Sequence, residues 1–207
     1  MARTIQTKIE HIEDRSKDLR VILFKPLLVL LTKLHIRPNH ISFLGLLASV
    51  GMFYLLIKDK VQSSLIMFFI YFFLDALDGT LARYQKCASD KGKFIDMTVD
   101  NIAATLLTLG LILTNTLTPI NGTIFIYLML INLIFAITIY NHFKKPNWFF
   151  HARGGVMAQG PKNLFFILFI LWGLNIFDLL NPAVIVFNCF LSGLATINFF
   201  RILRYKL

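Results

Sequence analysis

Long apolar runs alternate with short polar connectors along most of the chain. Six runs are long enough to cross a membrane, and they cover about residues 41–57, 61–81, 94–113, 120–140, 164–176 (extended on both sides) and 182–200. Because about 20 apolar residues in a helix span the hydrocarbon core of a bilayer, the pattern predicts six transmembrane helices. Pro38 and Asn39 stand at the start of the first run, as expected for a helix N-terminus.

Residues 1–36 follow a different pattern, in which Lys, Arg, Glu and Asp mix with apolar residues. We interpret this segment as an amphipathic juxtamembrane helix on the cytoplasmic face, with its basic side toward anionic head groups. A charged, flexible leader is the alternative interpretation. The chain is thus predicted to consist of an N-terminal helix at residues 1–36 and a transmembrane domain at residues 37–207.

The composition also indicates a membrane protein. Of the 207 residues, 57% are hydrophobic and 15% are charged, whereas a soluble domain carries about 25% charged residues. Composition and pattern together predict an all-α integral membrane protein, with six transmembrane helices preceded by the juxtamembrane helix.

Basic residues are distributed unevenly over the connectors. Nineteen of the 21 Lys and Arg residues lie in segments 1–37, 83–93, 143–162 and the C-terminal end. Since cytoplasmic loops carry an excess of Lys and Arg, this distribution places both termini on the cytoplasmic side of the cell membrane. It also accounts for the net charge of +10, so we expect membrane lipids, and no nucleic acid, as partners.

Five of the eleven acidic residues lie between positions 75 and 100, and four of them, all but Asp90, form two pairs. Asp75 and Asp78 are three residues apart, and Asp96 and Asp100 are four apart, so each pair shares one face of a helix. Two antiparallel helices would bring the pairs to a common site near the cytoplasmic ends of the second and third spans. A carboxylate inside a membrane costs about 2.5 kcal/mol or more, and four would repel one another unless cations bind between them.

Oxygen donors without His or Cys favour hard divalent cations, Mg²⁺ or Mn²⁺. Two such ions close together would suit phosphoryl transfer, because they hold a diphosphate and stabilise its leaving group. The residues between the two pairs fit this use. Gly79 lets a ligand approach the backbone, Ala82 keeps the same face small, and Arg83 offers a forked donor to phosphate. A purely structural cluster, or an intramembrane cation transporter, is the alternative.

The spacing of these residues resembles the signature of the class I CDP-alcohol phosphatidyltransferase family. That signature is Asp, two residues, Asp-Gly, two residues, Ala-Arg, eight residues, Gly, three residues, Asp, three residues, Asp. Every position is filled in this chain, by Asp75, Asp78, Gly79, Ala82, Arg83, Gly92, Asp96 and Asp100. The predicted layout is also similar to that of the family, and RPNHIS at 37–42 resembles its Pro-Asn start of the first span.

The resemblance implies a phospholipid-synthesising transferase, with residues 37–207 as its catalytic domain. Such an enzyme moves a phosphatidyl group from a CDP-linked lipid, CDP-diacylglycerol or an archaeal equivalent, to the hydroxyl of a small polar acceptor, and it releases CMP. The resemblance implies that two divalent ions bind at Asp75, Asp78, Asp96 and Asp100, and that Asp100 is also the general base. It assigns the nucleotide site to Asn39, Gly79, Ala82, Arg83 and Gly92, and it implies a homodimer.

The loop at residues 140–166 bears on the choice of acceptor. It brings four basic residues to the predicted cytoplasmic side, namely Lys144, Lys145, Arg153 and Lys162. A basic pocket favours a phosphorylated acceptor, either inositol phosphate-like or glycerol 3-phosphate. The positive-inside rule by itself is the alternative reason for these charges.

The subtype within the family stays open. Gln159 and Lys162 stand where inositol-phosphate-using members carry arginines, and Met97 and Asn101 stand where glycerol-phosphate-using members carry Pro and Lys. Serine-using and aminoalcohol-transferring members are therefore alternatives. A membrane prenyltransferase fits less well, because its two Asp-rich motifs lie far apart on a longer chain.

Overall fold

The computed structural model of the chain describes residues 20–143 and 154–204. The described residues form seven helices and no strand. Helix α1 covers residues 20–33, and the others are α2 (Pro38–Ile57), α3 (Val61–Tyr84), α4 (Asp90–Leu113), α5 (Pro119–Phe143), α6 (Gly154–Gly173) and α7 (Leu180–Arg204). The all-helical fold class is thereby confirmed.

The connectors end the helices by identifiable means. Proline occupies the first position of α2 and of α5, where its missing N–H costs no hydrogen bond. The residues just beyond five helix ends adopt a left-handed backbone, as helix C-termini commonly do; they are His35, Asp59, Lys86, Asn115 and Asn175. Helix α6 stops at Gly173, three residues before the approximate end predicted for the fifth span at 176, because the left-handed Asn175 follows.

Four helices are long and apolar enough to cross a membrane, namely Pro38–Ile57, Val61–Tyr84, Asp90–Leu113 and Leu180–Arg204. A helix of 20 residues is about 30 Å long, the thickness of a bilayer core. Helices α5 and α6 contain shorter apolar segments, Pro119–Phe135 and Pro161–Gly173. The chain is therefore a multi-pass membrane protein, and the count of six spans stays a prediction.

The chain divides into two compact units. The first unit comprises the chain up to Leu55 and the segment Ser63–Leu106, so it includes α1, most of α2 and α3, and the first part of α4. Its core cluster joins Leu28 of α1 to Ile41 of α2 and to Leu77 and Leu81 of α3. Just beyond α3, Gln85 donates a hydrogen bond of 2.9 Å to the carbonyl of Ile36. These contacts dock α1 on α2 and α3.

The segment at 1–36 is described only from residue 20 onward. The described part is helical, and Ile22 and Leu23 on its outer face are 68% and 74% exposed. The amphipathic and cytoplasmic character of the whole segment stays a prediction.

The second unit comprises Leu56–Gln62 and the chain from Leu107 onward. Aromatic and amide side chains join its helices. The ring of Phe125 on α5 lies 5.0 Å from that of Phe165 on α6. The amide of Asn132 on α5 donates to the carbonyl of Leu191 on α7 over 3.1 Å.

Candidate active site

The four aspartates of the signature lie on two helices of the first unit. Asp75 and Asp78 are on α3, and Asp96 and Asp100 are on α4. One carboxylate oxygen from each of Asp75, Asp78 and Asp96 lies within 4.8 Å of the other two. The predicted convergence of the two helix faces on a common acidic site is thus confirmed for these three residues.

Asp78 is the most buried member of this group, with 5% of its surface exposed. Its Oδ2 accepts a hydrogen bond of 2.5 Å from the hydroxyl of Ser42 on α2. Its Oδ1 is buried and has no hydrogen-bond partner among the described residues. A buried carboxylate oxygen is costly without a partner, so Oδ1 suits a cation bound within the group.

The donor set also fits divalent cations. Three carboxylates close together repel one another, and oxygen donors are those that Mg²⁺ and Mn²⁺ prefer. Asp75, Asp78 and Asp96 are therefore residues that could hold such ions.

Asp100 lies beside this group and has contacts of its own. Its Oδ1 accepts a hydrogen bond of 2.7 Å from the hydroxyl of Tyr71 on α3. Its carboxyl group also lies within hydrogen-bonding reach of Asp75. Asp100 is therefore in contact with both Tyr71 and Asp75, at the edge of the acidic group.

Arg83 extends from the last turn of α3 back over the preceding turn. Its Nη2 donates to the hydroxyl of Thr80 over 3.2 Å, and a Cβ built on Gly79 would lie 3.7 Å from its Nη1. The guanidinium is in electrostatic range of Asp78 and Asp96. Arg83 thus carries a positive charge at the edge of the acidic group, next to the half-buried Gly79.

The remaining nucleotide-site candidates occupy helix ends near the same elements. Asn39 is exposed in the first turn of α2, three residues before Ser42. Gly92 lies in the first turn of α4, where its N–H donates to Ser89 over 3.1 Å, one turn before Asp96. Ala82 lies on α3 and is half-buried. Their contact with a nucleotide stays a prediction.

The acceptor candidates divide into described and undescribed residues. Lys162 lies on α6 in the second unit, and 6% of its surface is exposed. Lys144, Lys145 and Arg153 lie outside the described residues.

The sequence interpretation did not single out Ser42 or Tyr71. Signals for both were nonetheless present. Tyr71 is the tyrosine in the run FFIYFFLD and precedes Asp75 by four residues, which puts both on one helix face. Ser42 closes the RPNHIS segment, but no local pattern shows which helix its hydroxyl meets.

Comparisons with known proteins agree with this geometry. A family model described as CDP-alcohol phosphatidyltransferase matches residues 35–194, which include all four aspartates. A curated protein from Aquifex aeolicus (strain VF5), described as uncharacterized, is 32% identical over 85 residues. That alignment covers 41% of this chain and 43% of the relative, so it spans less than half of either protein. No solved structure matches the chain significantly.

Proposed function

The chain belongs to the CDP-alcohol phosphatidyltransferase family, and from this premise we propose the reaction that it performs. It moves a phosphatidyl group from a CDP-linked lipid to the hydroxyl of a small polar, phosphorylated acceptor, and it releases CMP. The observation that carries the proposal is the meeting of the Asp75, Asp78 and Asp96 carboxylates within 4.8 Å, with Asp100 beside them.

Two divalent cations, Mg²⁺ or Mn²⁺, would be held by Asp75, Asp78 and Asp96, with Asp100 adjoining. The buried Oδ1 of Asp78 supports this assignment, since it has no hydrogen-bond partner in the described part of the chain. When bound, such ions neutralise the charge of a diphosphate and stabilise the leaving nucleotide.

The nucleotide would bind at the end of α3. Arg83 offers several N–H donors in a planar fork, which suits phosphate oxygens. Gly79 lies next to that fork, and a Cβ there would lie 3.7 Å from Nη1 of Arg83. Ala82, Asn39 and Gly92 complete the proposed nucleotide site by family resemblance.

Asp100 would act as the general base. Its carboxylate takes the proton of the acceptor hydroxyl, and the acceptor oxygen forms a bond to the phosphorus that carries the lipid. The bond between that phosphorus and the oxygen of CMP breaks, and CMP leaves with the electron pair. A positioned base contributes about 10²- to 10⁴-fold to such a step.

The basic residues of the segment 140–166 support a phosphorylated acceptor. Lys162, together with Lys144, Lys145 and Arg153, offers positive charge that suits an acceptor phosphate better than a neutral acceptor. Inositol phosphate-like compounds and glycerol 3-phosphate are the proposed acceptors, and a serine-using or an aminoalcohol-transferring member of the family is the alternative.

Further parts of the proposal follow from charge distribution and family resemblance. The protein would lie in the cell membrane with six spans, with both termini and the active site on the cytoplasmic side, and would form a homodimer. Residues 1–36 would be the juxtamembrane helix, and residues 37–207 the catalytic domain.

Release of CMP tests the proposal directly. Purified protein is mixed with Mn²⁺ and CDP-diacylglycerol, and inositol phosphate, glycerol 3-phosphate and serine are added one at a time; a separate mixture holds a CDP-linked aminoalcohol with diacylglycerol. CMP release with one phosphorylated acceptor is the expected result. Release only with serine, or only from the CDP-linked aminoalcohol, would move the protein to the alternative subtype. The absence of release with every acceptor, together with Mn²⁺ flux into liposomes that hold the protein, would instead indicate a transporter.

A further inference from the structure

Tyr71 contacts the carboxylate that we assign as the general base. Its hydroxyl donates a hydrogen bond of 2.7 Å to Oδ1 of Asp100, and 2% of the residue is exposed. The bond joins α3 to α4 across 29 residues of sequence. Position 71 is not part of the signature between residues 75 and 100, so this contact adds a residue to the site.

The ring of Tyr71 is fixed by its neighbours on two helices. The ring of Phe68, which is 1% exposed, lies 6.2 Å away on α3. On α2, Gly45 faces the ring, because a Cβ built there would lie 3.9 Å from Cδ2 of Tyr71. A buried ring in a close-packed interior has few alternative rotamers, so the position of its hydroxyl is set by this packing.

A fixed donor matters because Asp100 adjoins the metal-binding group. Its carboxyl group lies within hydrogen-bonding reach of Asp75, and a carboxylate in that place could turn toward the same cations. A general base, however, must hold its accepting oxygen about 2.6–3.2 Å from the proton donor. The hydrogen bond from Tyr71 holds one oxygen of Asp100 and so restricts the rotation of the carboxylate.

We infer that Tyr71 is a positioning residue for Asp100, and this inference rests on the proposed function. Its hydroxyl holds Oδ1, so that Oδ2 is presented to the acceptor hydroxyl during proton transfer. Tyr71 itself takes no proton from the acceptor.

A double-mutant cycle tests this inference. Tyr71→Phe keeps the ring and removes only the hydroxyl, and Asp100→Asn removes the base. Tyr84→Phe is the matched control, since Tyr84 packs partly buried at the end of the same helix. Three quantities are measured for the wild type, these variants and the double variant. They are the rate of CMP release at saturating Mn²⁺ and substrates, the KM for CDP-diacylglycerol and the Kd for Mn²⁺.

We expect Tyr71→Phe to lower kcat by up to about 100-fold, the cost of a small misplacement of a reacting group. The KM and the Mn²⁺ affinity should stay at wild-type values, and Tyr84→Phe should match the wild type. In the Asp100→Asn background, Tyr71→Phe should cause almost no further loss, because residues that act as a unit are not additive.

Three results would overturn the inference alone, given that Asp100→Asn lowers the rate but keeps a measurable residual turnover. These are full kcat in Tyr71→Phe, an equal loss in both backgrounds, and a loss of Mn²⁺ binding that accompanies the loss of rate. Full turnover in Asp100→Asn would instead remove the base assignment of the proposed function, and the role of Tyr71 with it.

Discussion

The hydroxyl of Ser42 donates a hydrogen bond of 2.5 Å to Oδ2 of Asp78. The two residues are 36 positions apart and lie on α2 and α3, and Ser42 is 6% exposed. The contact holds one carboxylate oxygen and leaves the buried Oδ1 with no hydrogen-bond partner among the described residues, which suits the proposed cation site. Hydrogen bonds behind metal ligands set ligand orientation and affinity.

Ser42→Ala should therefore weaken divalent cation binding. We expect the Kd for Mn²⁺ to rise by about 10- to 100-fold, the usual effect of losing such a partner. Electron paramagnetic resonance of free Mn²⁺ in a titration of the detergent-solubilised protein measures this value without reference to turnover.

Ser49→Ala is the matched control for Ser42→Ala. Ser49 is also buried on α2, but its hydroxyl donates to the carbonyl of Leu46 in its own helix, over 2.7 Å. Its Mn²⁺ affinity should equal that of the wild type. Equal affinities in Ser42→Ala and Ser49→Ala would show that the Ser42 contact does not support a metal site.

Asp100→Asn should abolish most of the turnover. We expect CMP release to fall by about 10²- to 10⁴-fold, the contribution of a general base. Asp90→Asn removes an exposed carboxylate from the first turn of the same helix and should keep the wild-type rate. A wild-type rate in Asp100→Asn would contradict its assignment as the base.

Lys162→Met should affect the acceptor and not the lipid substrate. A methionine keeps the length and apolar packing of the side chain but removes the charge, and a hydrogen bond to a charged group is worth about 1.5–3 kcal/mol. We expect the KM for a phosphorylated acceptor to rise by about 10- to 100-fold, with the KM for CDP-diacylglycerol unchanged.

Lys58→Met removes a positive charge from the exposed connector between α2 and α3, and it should leave both KM values unchanged. If Lys162→Met raised the two KM values equally, a specific role in acceptor binding would be ruled out.

Gly122→Ala should destabilise the second unit. A Cβ on Gly122 of α5 would lie 2.6 Å from Cδ1 of Ile112 and 3.0 Å from Cδ2 of Leu117, which is fully buried. Overpacking of this kind costs about 1–3 kcal/mol, which should lower the thermal unfolding temperature in detergent.

Gly193→Ala supplies the comparison, because a Cβ on Gly193 of α7 would meet nothing within 4 Å. Alanine favours a helix over glycine by up to about 1 kcal/mol, so this variant should unfold at or above the wild-type temperature. Equal unfolding temperatures in Gly122→Ala and Gly193→Ala would contradict the close packing at Gly122.

Local patterns in the sequence predicted the helices and the kind of chemistry. Apolar runs separated by polar connectors located most ends of the helices α2 to α7 to within a few residues. Such runs form helices because a helix pairs the backbone N–H and C=O groups that the bilayer core cannot hydrogen-bond. The three- and four-residue spacings put each aspartate pair on one helix face, and the complete signature indicated the family.

The side chains that complete the site could be identified only from the packing of the helices. Helix α2 is apolar around its whole circumference in sequence, so periodicity cannot show which face meets α3. Packing decides this face: Gly45 of α2 lies against Leu74 and Tyr71 of α3, as small residues do between membrane helices. That approach brings Ser42 to Asp78, while the packing of α3 against α4 brings Tyr71 to Asp100. Residue spacing along one helix cannot predict either contact, because the two residues of each contact lie on different helices.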